Sequence, residues 1–400
     1  MSLVDRVVDK KLCNSCGVCS TVFPEKIKIV ENNEFNFPVQ KSKLNNLEEA
    51  NFKNLCPGIS QNFYNTGINH DDVWGSYDEV AQGYSLDKEI RHRSSSGGLL
   101  TELACFLLES KKVDGVIHVG SNQEIPTEAI TKISYSLHDV CSNTGSRYQP
   151  VSTLDKVLQK IDLKKRYAII GKPCEITALR NLIKLKPHLE NVFVFKLSFF
   201  CAGTPSRSSV KKLIKSIYKN NDIKNFWFRG FGWPGKTTII NSQNKSFKTD
   251  YENSWGKILG PNINPRCKIC VDGIGASADF VSADIWKSDS KGSPLFSEAD
   301  GNGLILSRNS KSKEIIDEMV GLKRIQRNRF NISNLQKVQP SQFRRRTTVY
   351  FRLLAKSLVS RIKISHENSG ASKVSLKYTG LKEGLRIFFG SIYRCFLGKL

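Results

Sequence analysis

The chain has 400 residues, 39% of them apolar, with a formal charge of +24, a length that can bury a sizeable core and suggests two or three domains. No apolar stretch approaches the roughly 18 residues of a membrane span, since even VFVFKLSFF is broken by Lys196, and MSLVDRVVDKK lacks the apolar centre of a secretory signal. The expectation is a cytoplasmic globular protein whose eleven cysteines are thiolate ligands rather than disulfides.

Residues 1–70 are turn-rich and poor in periodicity, as expected of a small module organised by a metal centre. Cys13, Cys16 and Cys19 form C-x-x-C-x-x-C, which presents successive thiolates to a 4Fe-4S cluster. Where a bacterial ferredoxin run continues with Cys-Pro, this chain has Phe23-Pro24, and Cys56-Pro57 supplies the fourth ligand. One cluster site is therefore expected. A structural zinc is the alternative, disfavoured because zinc sites usually pair two separated C-x-x-C knuckles; cysteines that ligate nothing are the other.

From residue 72 to about 310 the pattern becomes α/β, with strands expected at 113–119, 167–171 and 192–199 and helices at 174–184 and 206–218. Arg91 and Arg93 precede Ser94, Ser95, Ser96, Gly97 and Gly98 at the start of an apolar helix, a composition that suits a phosphate. Gly145, Ser146, Arg147 and Tyr148 form a second small-residue loop. Each, taken singly, is more often a capped helix start or a turn. Residues 230–237, GFGWPGKT, match the P-loop pattern, but a β-branched stretch follows where a helix is required, so ATP binding is rejected.

Cys174 and Cys201 stand at strand exits and Cys267 and Cys270 form a further C-x-x-C, so four thiolates could converge. Cys174 as a nucleophile at a helix start, or ordinary buried cysteines, remain alternatives. Cys105, Cys141 and Cys395 read as structural. Residues 301–400 carry 21 Lys and Arg against 5 Asp and Glu, and a basic face attracts nucleic acid, anionic lipid or an acidic protein. This extension, 311–400, reads as helical with a linker at HENSGASK (366–373), and its last twenty residues form an amphipathic helix. That helix suits packing on the protein itself or on a sister subunit, with an anionic membrane surface as the second choice.

Together, CNSCGVC with CP, SSSGGLLTELACFLLESKKVDGVIHV, GSRYQPV, GKPCEITALR, FFCAGTPS, FRGFGW, CKICVDGIGASADFVSADIW and GNGLILSRN resemble the β-subunit family of coenzyme F420 hydrogenases and dehydrogenases, which also includes a chlorophyll-derivative reductase. The resemblance runs from Cys13 to about Asn309, with Glu175 where the family commonly has Gln and Ala283 where it has Gly. It implies FAD in the middle region, contacted by Arg93, Ser94, Ser95, Ser96, Gly97, Gly98, Gly145, Ser146, Arg147 and Tyr148. It also implies a second 4Fe-4S cluster on Cys174, Cys201, Cys267 and Cys270.

The expected architecture is a ferredoxin-like domain (1–70), a mixed α/β flavin-binding region in two parts (72–160 and 161–310) and the basic helical extension. The expected function is an oxidoreductase passing electrons from an acidic donor such as reduced ferredoxin, through clusters and FAD, to a small organic substrate or an F420-like cofactor. No catalytic residue is singled out, and an oligomer, peripheral to the inner face of the membrane at most, is expected. A non-catalytic electron-transfer subunit is the alternative; a nucleic-acid-binding protein, suggested by RIQRNRF and QFRRRTTVYFR, ranks last.

Overall fold

Local signals set the first boundaries in the computed structural model, which describes residues 1–64, 67–286, 295 and 297–400. Helix α1 (Leu3–Asp9) starts from a Ser2–Asp5 capping box. The cysteine loop then turns through Ser15 and Gly17, both at positive φ, into α2 (Val18–Val22). A Cβ on Gly17 would lie 2.5 Å from the Asp155 amide nitrogen, so glycine alone permits both the turn and the approach. An antiparallel hairpin, β1 (Ile27–Glu31) and β2 (Asn36–Gln40), precedes α3 (Asn46–Leu55), which delivers Cys56 at its C-cap. A short hairpin, β3 (Asn69–Asp71) and β4 (Gly75–Tyr77), follows.

The α/β part contains β5 (Glu79–Ser85), α4 (Lys88–Arg93), α5 (Leu99–Glu109), β6 (Gly115–Ser121), β7 (Ala129–Ser134), α6 (Leu137–Ser142), α7 (Val157–Lys160), β8 (Tyr167–Ile170), α8 (Pro173–Leu185), β9 (Phe193–Phe199) and α9 (Arg207–Ile217). A separate antiparallel sheet of β10 (Ile223–Trp227), β11 (Thr237–Asn241) and β12 (Ser246–Thr249) is followed by β13 (Phe280–Asp284), β14 (Gly303–Ser307), α10 (Ser310–Gly321) and β15 (Ile325–Arg329). Eight strands form one sheet in the order β15-β5-β14-β13-β9-β8-β6-β7. Its centre, β6, β8, β9 and β13, is parallel, and antiparallel strands flank it on both sides. The apolar runs expected as strands are central because a sheet covered on both faces needs apolar residues at successive positions. Val116, Ala168 and Phe280 face one core, containing α5 and α10, while their neighbours Ile117, Ile169 and Val281 face the other, containing α8 and α2.

The extension departs from the helical expectation at β15, which pairs antiparallel with β5 and ends the sheet. Its sequence, IQRNR, carries an edge strand's charges rather than a core strand's apolar residues. Helices α11 (Leu335–Val338), α12 (Pro340–Ser360), α13 (Ala371–Thr379) and α14 (Leu381–Phe396) follow. Val349, Leu353, Ile362, Val374 and Leu400 enter the same buried cluster as Val4, Leu12 and Phe52 of the cysteine module. The stretch expected as a linker instead lies along residues 59–63: the Gln61 amide donates to the Ser365 carbonyl at 2.9 Å and the Phe63 amide to the Glu367 carbonyl at 3.0 Å.

The basic runs have internal work. In RIQRNRF, Arg324 pairs with Glu102 at 2.7 Å and Arg327 with Glu79 at 2.9 Å. In QFRRRTTVYFR, fully buried Arg346 donates to the carbonyls of Val73 (2.9 Å), Val271 (2.6 Å) and Ser369 (2.8 Å). Replacing it by Met strands three buried acceptors. Arg346→Met is expected to lower the unfolding free energy by about 3 kcal/mol or more, read from urea denaturation; a loss under about 1 kcal/mol would mean that water reaches those carbonyls.

Candidate functional site

The carboxyl ends of the parallel strands open into a cavity of about 370 Å³, within the roughly 300–1,000 Å³ typical of small-molecule sites. The chain after β8 contributes Gly171 and Lys172, that after β9 contributes Phe200 and Cys201, and β13 and its exit contribute Ser282, Ala283, Asp284 and Trp286. This is where an open α/β sheet gathers ligands, because the strand exits diverge there. Ser94, Ser95 and Ser96 line one side, and Gly145, Ser146, Arg147 and Tyr148 line another. The Ser95 and Ser146 hydroxyls lie 2.8 Å apart and join the two loops. Arg93 turns away to pair with Glu89 at 2.9 Å. Gly97 and Gly98, both at positive φ, pack against Gly83, Tyr84 and Ile90 and shape the loop from behind.

Two charged constellations dominate the wall. Arg229 grips Asp284 with two hydrogen bonds, at 2.8 and 3.1 Å, and Trp233 Nε1 and Ser96 Oγ also donate to this carboxylate, at 2.7 and 3.0 Å. Burial opposes ionisation of Asp284, but Arg229 and these donors outweigh it and hold its pKa below the ordinary value. Arg229 also faces the rings of Tyr251 and Trp286, and Trp233 stacks on Trp286 at 5.0 Å. The Gly-rich loop expected not to bind ATP supplies this wall, running from β10 into β11 without a helix. On the floor, Lys172 pairs with Glu175 at 2.7 Å. Burial pulls the Lys172 ammonium down, yet the Glu175 carboxylate, together with Cys174 and Cys201, more than compensates and leaves its pKa raised.

Arg147 is different. Its Nε and Nη1 are buried and have no hydrogen-bond partner among the described residues, an arrangement costing several kcal/mol unless an anion arrives. Burial pulls its pKa down to about 10. Nearby, His118 Nε2 lies 2.8 Å from Ser134 Oγ, and burial, reinforced by Arg147 and Lys132, pushes its pKa down to about 4. His118, Arg229, Asp284 and Trp286 escaped the sequence reading, although Asp284 and Trp286 obey the strand-exit rule used for Cys201. Gln339, Pro340, Ser341 and Gln342 also line the pocket, from the extension, and nothing in their residue types signals it.

Cys13, Cys16, Cys19 and Cys56 ring a second, smaller cavity with Val7, Val18, Ile29, Phe37 and Phe52. Burial, together with the mutual influence of the sulfurs, pushes the Cys13 thiol up to about 12 and raises those of Cys16 and Cys19 well above the ordinary thiol value. The Ser15 amide donates to Cys13 Sγ at 3.3 Å. Phe23, at the place of a ferredoxin ligand, is buried in the core. Among the described residues no three His, Cys, Asp or Glu side chains converge closely enough to hold a single metal ion; the four sulfurs surround a space instead.

Cys174, Cys201, Cys267 and Cys270 form the second group. Cys267 and Cys270 both push the Cys174 and Cys201 thiols up, after the larger effect of burial. Cys270 Sγ accepts from Gln61 Nε2 at 3.1 Å, and Cys201 itself reaches the large pocket. Buried Arg266 joins the two groups, donating to the carbonyls of Pro57 (3.3 Å), Gly58 (2.9 Å) and Ile269 (3.1 Å) and to Gln61 Oε1 (3.0 Å). Above Cys201, Gln342 and Arg345 both donate to its carbonyl at 2.9 Å.

The fold and site define an α/β protein with a strand-exit pocket that one of two groups of four cysteines reaches through Cys201. Residues 80–159 match the N-terminal part of the coenzyme F420 hydrogenase/dehydrogenase beta subunit, and residues 164–331 match its C terminus. The matches cover more than half of the chain, which belongs to the coenzyme F420 hydrogenase/dehydrogenase beta-subunit family. It is 31% identical over 140 residues to the F420-dependent formate dehydrogenase subunit beta of Methanocaldococcus jannaschii, covering 35% of this chain and 36% of that protein. It is 26% identical over 257 residues to the coenzyme F420 hydrogenase subunit beta of Methanococcus voltae, covering 62% and 82%. Against the coenzyme F420-dependent sulfite reductase of Methanocaldococcus jannaschii the identity is 23% over 336 residues, covering 78% of this chain and 46% of that protein. The chain thus spans less than half of the formate dehydrogenase subunit and of the sulfite reductase. A chain of the F420-reducing NiFe hydrogenase complex from Methanosarcina barkeri shares the fold with a TM-score of 0.54 at 20% identity, covering 72% of this chain and 96% of that one.

The depressed pKa of His118 has a consequence for stability. An unfolded histidine titrates near ~6.5, so between about pH 6.5 and 4 the unfolded chain holds a proton that the folded chain refuses, and stability falls as pH falls through that window. Urea unfolding of the ligand-free protein at pH 7 and 4.5 is expected to show a loss in wild type exceeding that in His118→Gln by roughly 2–3 kcal/mol. Equal losses would place His118 in contact with water.

Proposed function

We propose that the chain is an iron-sulfur flavoprotein oxidoreductase. Cys13, Cys16, Cys19 and Cys56 would hold one 4Fe-4S cluster, Cys174, Cys201, Cys267 and Cys270 a second, and the strand-exit pocket FAD. The observation that carries this reading is continuity: the first cysteine group meets the second across Arg266 and Gln61, and Cys201 stands on the pocket wall. Four thiolates around a space suit a cluster better than zinc, whose tetrahedral site draws sulfurs to about 2.3 Å from one point. When bound, the clusters supply single-electron transfer, which the flavin couples to hydride chemistry.

The chain's own residues bind and shield. Arg147, with its unpartnered buried nitrogens, would receive an anionic phosphate, and the Ser95 and Ser146 loops narrow around it. Asp284 is committed to Arg229, Trp233 and Ser96 and so serves as a brace rather than a base. The Trp233–Trp286 stack and Tyr251 wall off water beside it. The net charge of +24 favours an acidic donor such as reduced ferredoxin, and a small organic substrate or an F420-like cofactor would accept the electrons. The relatives named as beta subunits favour a second reading, an electron-transfer subunit feeding a partner enzyme; turnover by the isolated chain with an artificial donor separates the two.

Anaerobically purified protein is expected to contain about eight iron and eight sulfide per chain together with releasable flavin. Cys56→Ser should retain flavin while iron falls towards about four. Arg147→Met should retain iron while flavin affinity drops about tenfold or more, as expected on losing a charged hydrogen-bond donor. Zinc in place of iron and sulfide, or wild-type protein without flavin, would defeat the proposal.

A further inference from the structure

Helix α14 packs with its small residues and leaves its large ones open. Gly384 and Ser391 are buried, and a Cβ on Gly384 would stand 2.2 Å from the Phe351 ring of α12, so close contact between the two helices depends on glycine there. Leu381, Leu385, Phe389 and Tyr393, four residues apart along one side, are exposed by 67, 46, 62 and 65%, and Phe396 on the same side by 77%. Of the apolar stripe anticipated for this segment, Leu381, Leu385, Phe389 and Phe396 therefore point away from the protein, while Phe388 and Ile392 are half-buried.

We propose that this face of α14 docks on an anionic lipid bilayer. The stripe is a convex ridge on a single helix, which inserts between lipid headgroups as interfacial amphipathic helices do, and Tyr393 presents the amphipathic ring favoured at that depth. The surrounding charge complements anionic lipid: residues 340–400 hold 13 Lys and Arg against two acids, Glu367 and Glu383, and all of these cations except Arg346 and Lys356 are exposed or half-buried. Lys382 and Arg386 flank the stripe, Arg394 and Lys399 lie at its C-terminal end, and Glu383 is engaged by Arg386 at 3.5 Å. No helix among the described residues is long and apolar enough to cross a membrane, so attachment through this face is lateral. The inference is independent of the cofactor assignment, since α14 contributes no residue to the pocket lining.

The test is co-sedimentation of the full chain with vesicles. Binding is expected to vesicles of phosphatidylglycerol and phosphatidylcholine in equal parts, to be weak on pure phosphatidylcholine, and to fall steeply as salt rises from about 0.05 to 0.5 M. The double substitution Leu385→Ser and Phe389→Ser should reduce it by about tenfold or more, and Lys382→Gln with Arg386→Gln by about tenfold. Both pairs are exposed, so urea midpoints should remain within experimental error of wild type and exclude unfolding as the cause. Absence of binding to the anionic vesicles would overturn the proposal, as would binding indifferent to both double substitutions. So would a lipid-free wild-type dimer, seen by analytical ultracentrifugation, that Leu385→Ser and Phe389→Ser convert to monomer, which would assign the face to a second copy of the chain.

Discussion

A single buried guanidinium, that of Arg266, holds together the parts on which the site depends. It donates to backbone carbonyls on both sides of the junction, Pro57 and Gly58 beside Cys56 and Ile269 beside Cys270, and to Gln61, which in turn donates to Cys270 Sγ. Taking a cation out of water costs several kcal/mol, and only a full set of acceptors offsets it. Because those acceptors belong to segments far apart in sequence, Gly58 and Arg266 being 208 positions apart, the guanidinium is satisfied in one arrangement of the two cysteine groups. Side chains that are half-satisfied in any other arrangement select against it.

The same device recurs in Arg308, which donates to Trp74, Ser76 and Ile274, and in Arg346. A share of the large positive charge is therefore interior and paired with carbonyl dipoles rather than acids. This changes what the charge means. Basic runs that resemble nucleic-acid-binding segments are partly occupied in fastening the extension and the sheet edge, and the charge left to face solvent is concentrated around α12, α13 and α14. Arg147 stands apart: the residue is half-buried, yet its Nε and Nη1 are buried and have no hydrogen-bond partner among the described residues.

The extension is structural as well as basic. Its α12 reaches the pocket through Gln339 to Gln342, contacts the Cys201 carbonyl through Gln342 and Arg345, and contributes Val349 and Leu353 to the core that contains the cysteine module. Truncating it would open the pocket, uncover the second cysteine group and expose part of the core together. No boundary at residue 310 separates a folded body from an appendage, because β15 completes the sheet after it.

Local chemistry was legible in the residues themselves. The C-x-x-C-x-x-C spacing, the glycine at position 17, the largely apolar run of β9 and the serine loop before α5 each act over a few neighbours, where steric and hydrogen-bonding rules operate without knowledge of the remainder. Edge strand β15 was not legible, since its charged side chains satisfy an edge as readily as a helix. Nor were the contributions of Gln339 to Gln342, Asp284 and Arg229, whose roles arise from what folding places opposite them. The sequence by itself determined the cysteine spacing, the strand exits and the amphipathic stripe of α14. Tertiary structure alone decided that the two cysteine groups meet across Arg266, that Arg147 Nε and Nη1 find no partner among the described residues and that the exposed side chains of α14 face outward, because burial and partnership are properties of surfaces the chain acquires only when distant segments pack.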